Sequence, residues 1–297
     1  MAKAIAIKAP AEGHAIPVAI ICAVIVVIWY LACIPMNWVI TGPKIAAAGG
    51  GPFNVLAISW NEQRPVIPAP HQIIVELWNS IFMVAPWKVK SLIYHCWVTL
   101  SSTLLGFALG IVLGVGLAIA IVHSGFLSKV LMPWIIASQT VPILAIAPMI
   151  IVVLGAAGLT GLLPKALISM YLCFFPITIG MTKGLNSPDA MHRDLLETYN
   201  ASATQTLWKL RLPSAVPYLF TSLKVAIAIA LTGAIVGELP TGAVAGIGAR
   251  LLIGSYNGLT LMIWGALVAS SVMAAGLVWL VGFAERQTLK RMGVKPS

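Results

Sequence analysis

The chain has 297 residues, of which 60% are hydrophobic and only 9% charged, and its mean hydropathy is +0.98. A soluble domain carries about 25% charged residues, so a single water-facing globule is excluded and lipid must solvate much of the surface. The net charge of +10 fits basic residues that set membrane orientation, not a nucleic-acid surface. The four cysteines, Cys22, Cys33, Cys96 and Cys173, lie in or beside apolar stretches with no CxxC pair, which indicates neither a zinc site nor a disulfide framework.

Lys3 and Lys8 precede a first span from Ile16 to about Ile34. Leu31-Ala32-Cys33 hints at a lipoprotein cleavage site, but Tyr30 fills the position where that signal wants leucine. An uncleaved anchor is therefore expected. Residues 36–92 are more polar and form an expected extracytoplasmic loop. Within it Gln72 to Val84 places Ile73, Ile74, Leu77, Ile81 and Phe82 at helical spacing, as in an amphipathic helix lying at the interface.

A core of further spans is expected over 93–290. Val98 to Val122 carries no charge and exceeds the ~20 residues that one crossing needs. Its Gly106, Gly110, Gly114 and Gly116 offer small faces for close helix packing. Between Lys129 and Lys165 an uncharged stretch too long for one span is interrupted by Pro133, Pro142 and Pro148. It reads as one broken helix, about Val130 to Leu154, followed by a glycine-rich turn at 155–161. Lys165 to Met181 is the fourth span. Tyr218 to Gly237 is the fifth, with Lys224 placed to snorkel. Residues 238–259 read as a glycine-rich loop, Thr260 to Phe283 as the sixth span, and 291–297 as a basic tail.

One short polar segment, 186–212, interrupts the apolar core. Ser187-Pro188-Asp189 reads as a helix start, with a helix running to about Tyr199. Asn200 tolerates the left-handed conformation that ends helices. Ser202 to Gln205 reads as a capping box opening a second short helix, which Leu212-Pro213 should stop. Six spans put both termini on one side. Most of the 18 basic residues then fall on the side of this elbow, which the positive-inside rule makes cytoplasmic.

No G-x-x-x-x-G-K-[ST], GxSxG or HExxH motif occurs, and no catalytic or metal-ligating constellation is visible. The polar candidates for a solute path are Gln139 and Thr140 beside Pro142, Tyr171 in the fourth span, and Glu238 at the end of the fifth. His95 reads as interfacial and His192 as a surface residue. The spans carry no basic residue beyond the end-placed Lys165 and Lys224, which tilts the solute toward a neutral or heteroaromatic one.

Asp194 to Pro213, followed by Pro217-Tyr218, resembles the cytoplasmic "EAA" loop of ABC-importer permeases. In that pattern Asp194 takes the Glu position, Leu195 and Leu196 replace the two alanines, Asn200 takes the Gly position, and Leu212-Pro213 matches the end. Pro68-Ala69-Pro70, Leu105-Gly106-Phe107, Thr140-Val141-Pro142 and Ala147-Pro148 look like the nitrate/sulfonate/taurine branch. Gly237 to Gly242 looks most like members assigned to pyrimidine or thiamine-precursor uptake. The resemblance implies an all-α, six-span permease of the type I importer kind. It makes Asp194, Glu197, Asn200, Ala201 and Pro213 residues that dock separate ATP-binding subunits, which hold ATP and magnesium. A second permease copy or paralogue, an extracytoplasmic binding protein and a bacterial inner-membrane location follow from it too. The alternative from another class is an ion-coupled secondary transporter, which predicts inverted repeats and midplane carboxylates. A membrane scaffold is a third reading, though it would have no need of a broken span.

Overall fold

The computed structural model describes residues 15–240 and 245–293. Lys3, Lys8, Lys295 and the Thr241-Gly242 part of the expected uptake motif lie outside the described residues. Within them the chain is helical, with α1 (Ala15–Ala47), α2 (Pro52–Trp60), α3 (Pro70–Phe82), α4 (Leu92–His123), α5 (Gly125–Ser138) and α6 (Ile143–Ala156). These are followed by α7 (Leu162–Leu185), α8 (Ala190–Thr198), α9 (Ala203–Thr206), α10 (Leu212–Glu238), α11 (Ile247–Tyr256) and α12 (Thr260–Arg291). Among the described residues five helices are long and apolar enough to cross a membrane, or six if the bent pair α5–α6 is counted as one span.

Helix α7 is the centre of the bundle, sandwiched between α4 and α10. The reason is side-chain size. Lipid tails are as apolar as leucine, so helices in a membrane associate through close packing, which small residues permit. Gly106, Gly110 and Gly114 repeat every fourth residue along α4 and face Ser169, Cys173 and Ile177 of α7. On the other side Gly180 and Gly184 of α7 meet Ser222 and Ala215 of α10, and Gly233 of α10 meets Ser169. Ser169 Oγ donates to the Ala230 carbonyl at 2.7 Å. Gly116, by contrast, has open space where its Cβ would be; the expected small-residue face is therefore the 106/110/114 stripe alone.

The third crossing is broken as the sequence suggests, but at one place. Helices α5 and α6 meet at 99°. Pro142 is the residue that opens α6, whereas Pro133 and Pro148 lie inside α5 and α6. The turn after α6 uses Gly158 and Gly161 at positive φ.

Helix α1 runs through Pro35 and Pro43 and ends at Ala47 instead of near Ile34. Its 33 residues span about 50 Å at 1.5 Å each, well beyond a ~30 Å hydrocarbon core. The excess is part of an ordered cap, because α2 folds back along α1 and Asn37 fastens the return strand. Its Oδ1 accepts from the N–H groups of Val66 (2.8 Å) and Ile67 (3.1 Å), while its Nδ2 donates to the carbonyl of Ile67 (2.9 Å). Trp29 Nε1 donates to the Pro68 carbonyl and Trp60 Nε1 to that of Tyr30, both at 3.0 Å. Cys33 is buried against Pro68. The amphipathic helix α3 leaves Ile74, Trp78 and Phe82 exposed along one stripe and turns Glu76 and Ser80 toward the protein.

Three local expectations are corrected. Leu212-Pro213 does not stop the second elbow helix. Leu207–Arg211 winds as a π-helical turn, in which Leu212 N–H bonds to Leu207 O, and the chain continues into α10 as one 36-residue rod from Ala203 to Glu238. Pro213 lies directly after the π-helical turn, in the first turn of α10. The glycine-rich stretch after Glu238 contains α11. Lys224, expected to snorkel, pairs with Glu285 of α12.

Candidate functional site

The elbow lies at one end of the bundle. Asn200, two residues past the end of α8, has φ 51° and is the one described non-glycine residue in the left-handed region. That reversal sets α9 at an angle to α8. The capping box closes as expected: Ser202 Oγ accepts from Gln205 N–H at 3.3 Å, and Gln205 Oε1 accepts from Ser202 N–H at 2.9 Å. Ser187, expected to cap α8, instead donates to the Gly184 carbonyl and closes α7. Asp189 is the residue preceding α8.

Between α8, α9 and the end of α4 lies an open groove of about 620 Å³. Asp194, Glu197 and Ala201 line it together with His123, Arg193 and Arg211. Three of the five sequence-selected elbow residues thus share one concavity. Asn200 makes its turn, and Pro213 lies exposed at the start of α10. Met191, Leu195 and Tyr199 are exposed large hydrophobics on the same short helix and its end.

The path candidates fall in two separate places. Gln139 and Thr140 are exposed at the α5–α6 break. Their bonds are local: Gln139 Nε2 donates to Ser138 Oγ at 3.2 Å, and Thr140 Oγ1 to the Ala137 carbonyl at 2.8 Å. Tyr171 of α7 donates its hydroxyl to the Ser138 carbonyl, fastening the break to the central helix. Glu238 belongs to another cluster at the end of the bundle opposite the elbow, and it is fully buried. Thr99 Oγ1 donates to its Oε1 at 2.8 Å, and Gly248 N–H donates to its Oε2 at 2.7 Å. Thr99 Oγ1 in turn accepts from Ile247 N–H at 2.8 Å. The carboxylate and the threonine therefore satisfy the first two amides of α11, where the helix dipole also favours negative charge.

The rest of that cluster escapes sequence reasoning. His95 is buried rather than interfacial, with Nδ1 2.9 Å from the Gly246 carbonyl oxygen and 3.0 Å from its amide nitrogen; which group it bonds depends on its tautomer. Arg250 donates from Nη2 to Glu76 Oε1 (3.1 Å) and Ser80 Oγ (2.9 Å), and from Nη1 to the Lys90 carbonyl (3.1 Å). Burial pulls its guanidinium below the ordinary value, and the Glu76 carboxylate opposes that pull. The available signal was Gly246-Ile247-Gly248-Ala249-Arg250: small residues around a lone cation, with two glycines where neighbours come close. Gly246 has φ +129°, and a side chain there would collide with the Glu238 carboxylate.

Comparison with known proteins gives the class. Residues 110–292 match the family described as binding-protein-dependent transport system inner membrane component. The chain belongs to that family, and is a multi-pass membrane permease component. It is 29% identical over 251 residues to the formylaminopyrimidine transport permease of Halalkalibacterium halodurans, covering 81% of this chain and 92% of that one. The riboflavin transport system permease of Chloroflexus aurantiacus is 33% identical over 226 residues, with 74% and 78% of the two chains covered. A nitrate import permease of Synechocystis is 26% identical over 220 residues, with 73% and 75% covered.

Proposed function

We propose that this chain is the translocation subunit of an ATP-driven importer, coupled through the 186–212 elbow to a separate ATPase that holds ATP and magnesium. The observation that carries the reading is the elbow itself. A left-handed turn at Asn200 sets two short helices around a groove that collects Asp194 and Glu197, beside exposed apolar residues. That is a surface shaped for a protein and not for a solute. The continuous helical segment from Ala203 to Glu238, with its π-helical turn at 207–211, gives any displacement of the elbow a lever toward the far end of the bundle. In this reading the elbow and both termini are cytoplasmic, a second permease chain completes the path, and a binding protein delivers the solute from outside. Asp194, Glu197, Asn200, Ala201 and Pro213 dock the ATPase. Gln139, Thr140 and Tyr171 line the path at the α5–α6 break, and Glu238 holds its outer end.

For the solute we favour a neutral heteroaromatic molecule. The support is that the basic residue in the middle of α10, Lys224, is already paired with Glu285, together with relatives whose names specify a formylaminopyrimidine and riboflavin. A competition panel of pyrimidines, flavins and nitrate against uptake decides it. The coupling is tested by Asp194→Lys together with Glu197→Lys in membranes holding the whole assembly. The variant should insert normally yet lose transport at least tenfold. Normal uptake would refute the docking role.

A further inference from the structure

The short helix α11 is held from two sides. On one side, Ile247 and Gly248 amides bond to Thr99 of α4 and Glu238 of α10. On the other, Arg250 reaches across to Glu76 and Ser80, which stand one turn apart on α3, and to the Lys90 carbonyl before α4. Ser80 Oγ also donates to Glu76 Oε1 at 2.8 Å, so the three side chains form a closed triangle. Helix α3 lies outside the six crossings, and α10 runs from Glu238 to the elbow. Glu76, Arg250, α11 and Glu238 thus make a continuous polar connection from an outer surface helix to the lever.

This connection is a poor choice if stability alone were served. The Arg250 side chain is 7% exposed, and its Nε is buried without a partner among the described residues. A buried and incompletely satisfied ion pair is weak evidence for stability, while removing one partner strands the other. In some proteins such a pair is retained because it specifies one arrangement of the elements that it joins. We propose that Arg250 is a positioning residue of transport: with Glu76 and Ser80 it latches α11 as a lid at the outer end of α10, so that lid and lever move together. The proposal rests on the importer reading, and it adds the outer counterpart of the elbow.

The test uses Cys96, a native, part-buried cysteine one position from His95 and three from Thr99 on α4. With Cys22, Cys33 and Cys173 replaced by serine or alanine, the assembly is placed in proteoliposomes. Cys96 is labelled from outside with a sulfonated, membrane-impermeant maleimide, with and without vanadate trapping of the ATPase. In the parent protein vanadate should change the labelling rate several-fold. In Arg250→Met the rate should be raised several-fold before trapping and no longer respond to it. Ser80→Ala, which keeps the ion pair and the fold, should show a smaller change in the same direction. An Arg250→Met protein whose labelling matches the parent in both states overturns the latch; if that variant does not assemble, Ser80→Ala matching the parent does so. A parent with ATPase bound but no vanadate response also overturns it. A parent that carries no ATPase at all contradicts the importer reading instead.

Discussion

Gly248 N–H donates to Glu238 Oε2 at 2.7 Å, joining the second residue of α11 to the last residue of α10. The approach is so close that a Cβ on Gly248 would lie 2.8 Å from the Glu238 Cβ and would also meet the Ile235 carbonyl. Two effects of Gly248→Ala oppose each other. Helix propensity gains up to about 1 kcal/mol, and overpacking against backbone costs about 1–3 kcal/mol. Overpacking should win, because a carbonyl cannot rotate away. The expected outcome is a lower thermal midpoint in detergent, and an unchanged or raised midpoint would show that α11 is not held where described.

Two glycines two residues apart on α4 should behave oppositely. A Cβ at Gly114 would lie 2.8 Å from Ile177 Cγ2 and 2.9 Å from the Phe174 carbonyl, whereas at Gly116 it meets nothing within 4 Å. Gly114→Leu should therefore separate α4 from α7 and lose well over 1 kcal/mol. Gly116→Ala should be neutral or stabilising by up to about 1 kcal/mol. Paired thermal melts of the two variants check the orientation of the helix, and equal effects would contradict it.

These helix faces mark what was legible in the sequence. Gly106, Gly110 and Gly114 repeat at the helical period, and Ser202 with Gln205 forms a cap within four residues; both depend on neighbours in the chain. Asn200 was legible for the same reason. Helix α11 was not, because it is only ten residues long and holds two glycines, and its first amides are satisfied by Thr99 and Glu238, more than a hundred residues and ten residues away. The reach of α1 was hidden by Pro35 and Pro43, which read as breakers until α2 and Asn37 are packed along it. Pro213 misled in the opposite sense, since the π-helical turn before it could not be read from propensity. Of the site, the elbow was local and visible. The Arg250 cluster joins four elements distant in sequence and was invisible.

The cap carries a pH dependence. Lys44 Nζ donates to Glu62 Oε2 at 2.6 Å, and this bond holds the Glu62 carboxyl below its ordinary 4.5 against the burial that raises it. A carboxyl lowered in the folded state adds stability that is complete above the ordinary value and is lost as pH falls through the lowered one. Lys44 is half exposed, so the contribution belongs at the low end of about 0.2–1 kcal/mol. The thermal midpoint of the parent should fall more steeply than that of Glu62→Gln as pH drops from about 5.5 to about 3.5 (one unit either side of the ordinary carboxylate value). Parallel curves would remove the pair from the account.

The measurement that bears most directly on the central claim is copurification of the tagged chain in mild detergent, with identification of what accompanies it. The account predicts a stoichiometric ATP-binding subunit, lost when Asp194 and Glu197 are both reversed to lysine. A chain that stays alone across several detergents, or an ATPase still bound after both reversals, would contradict an importer coupled through this elbow.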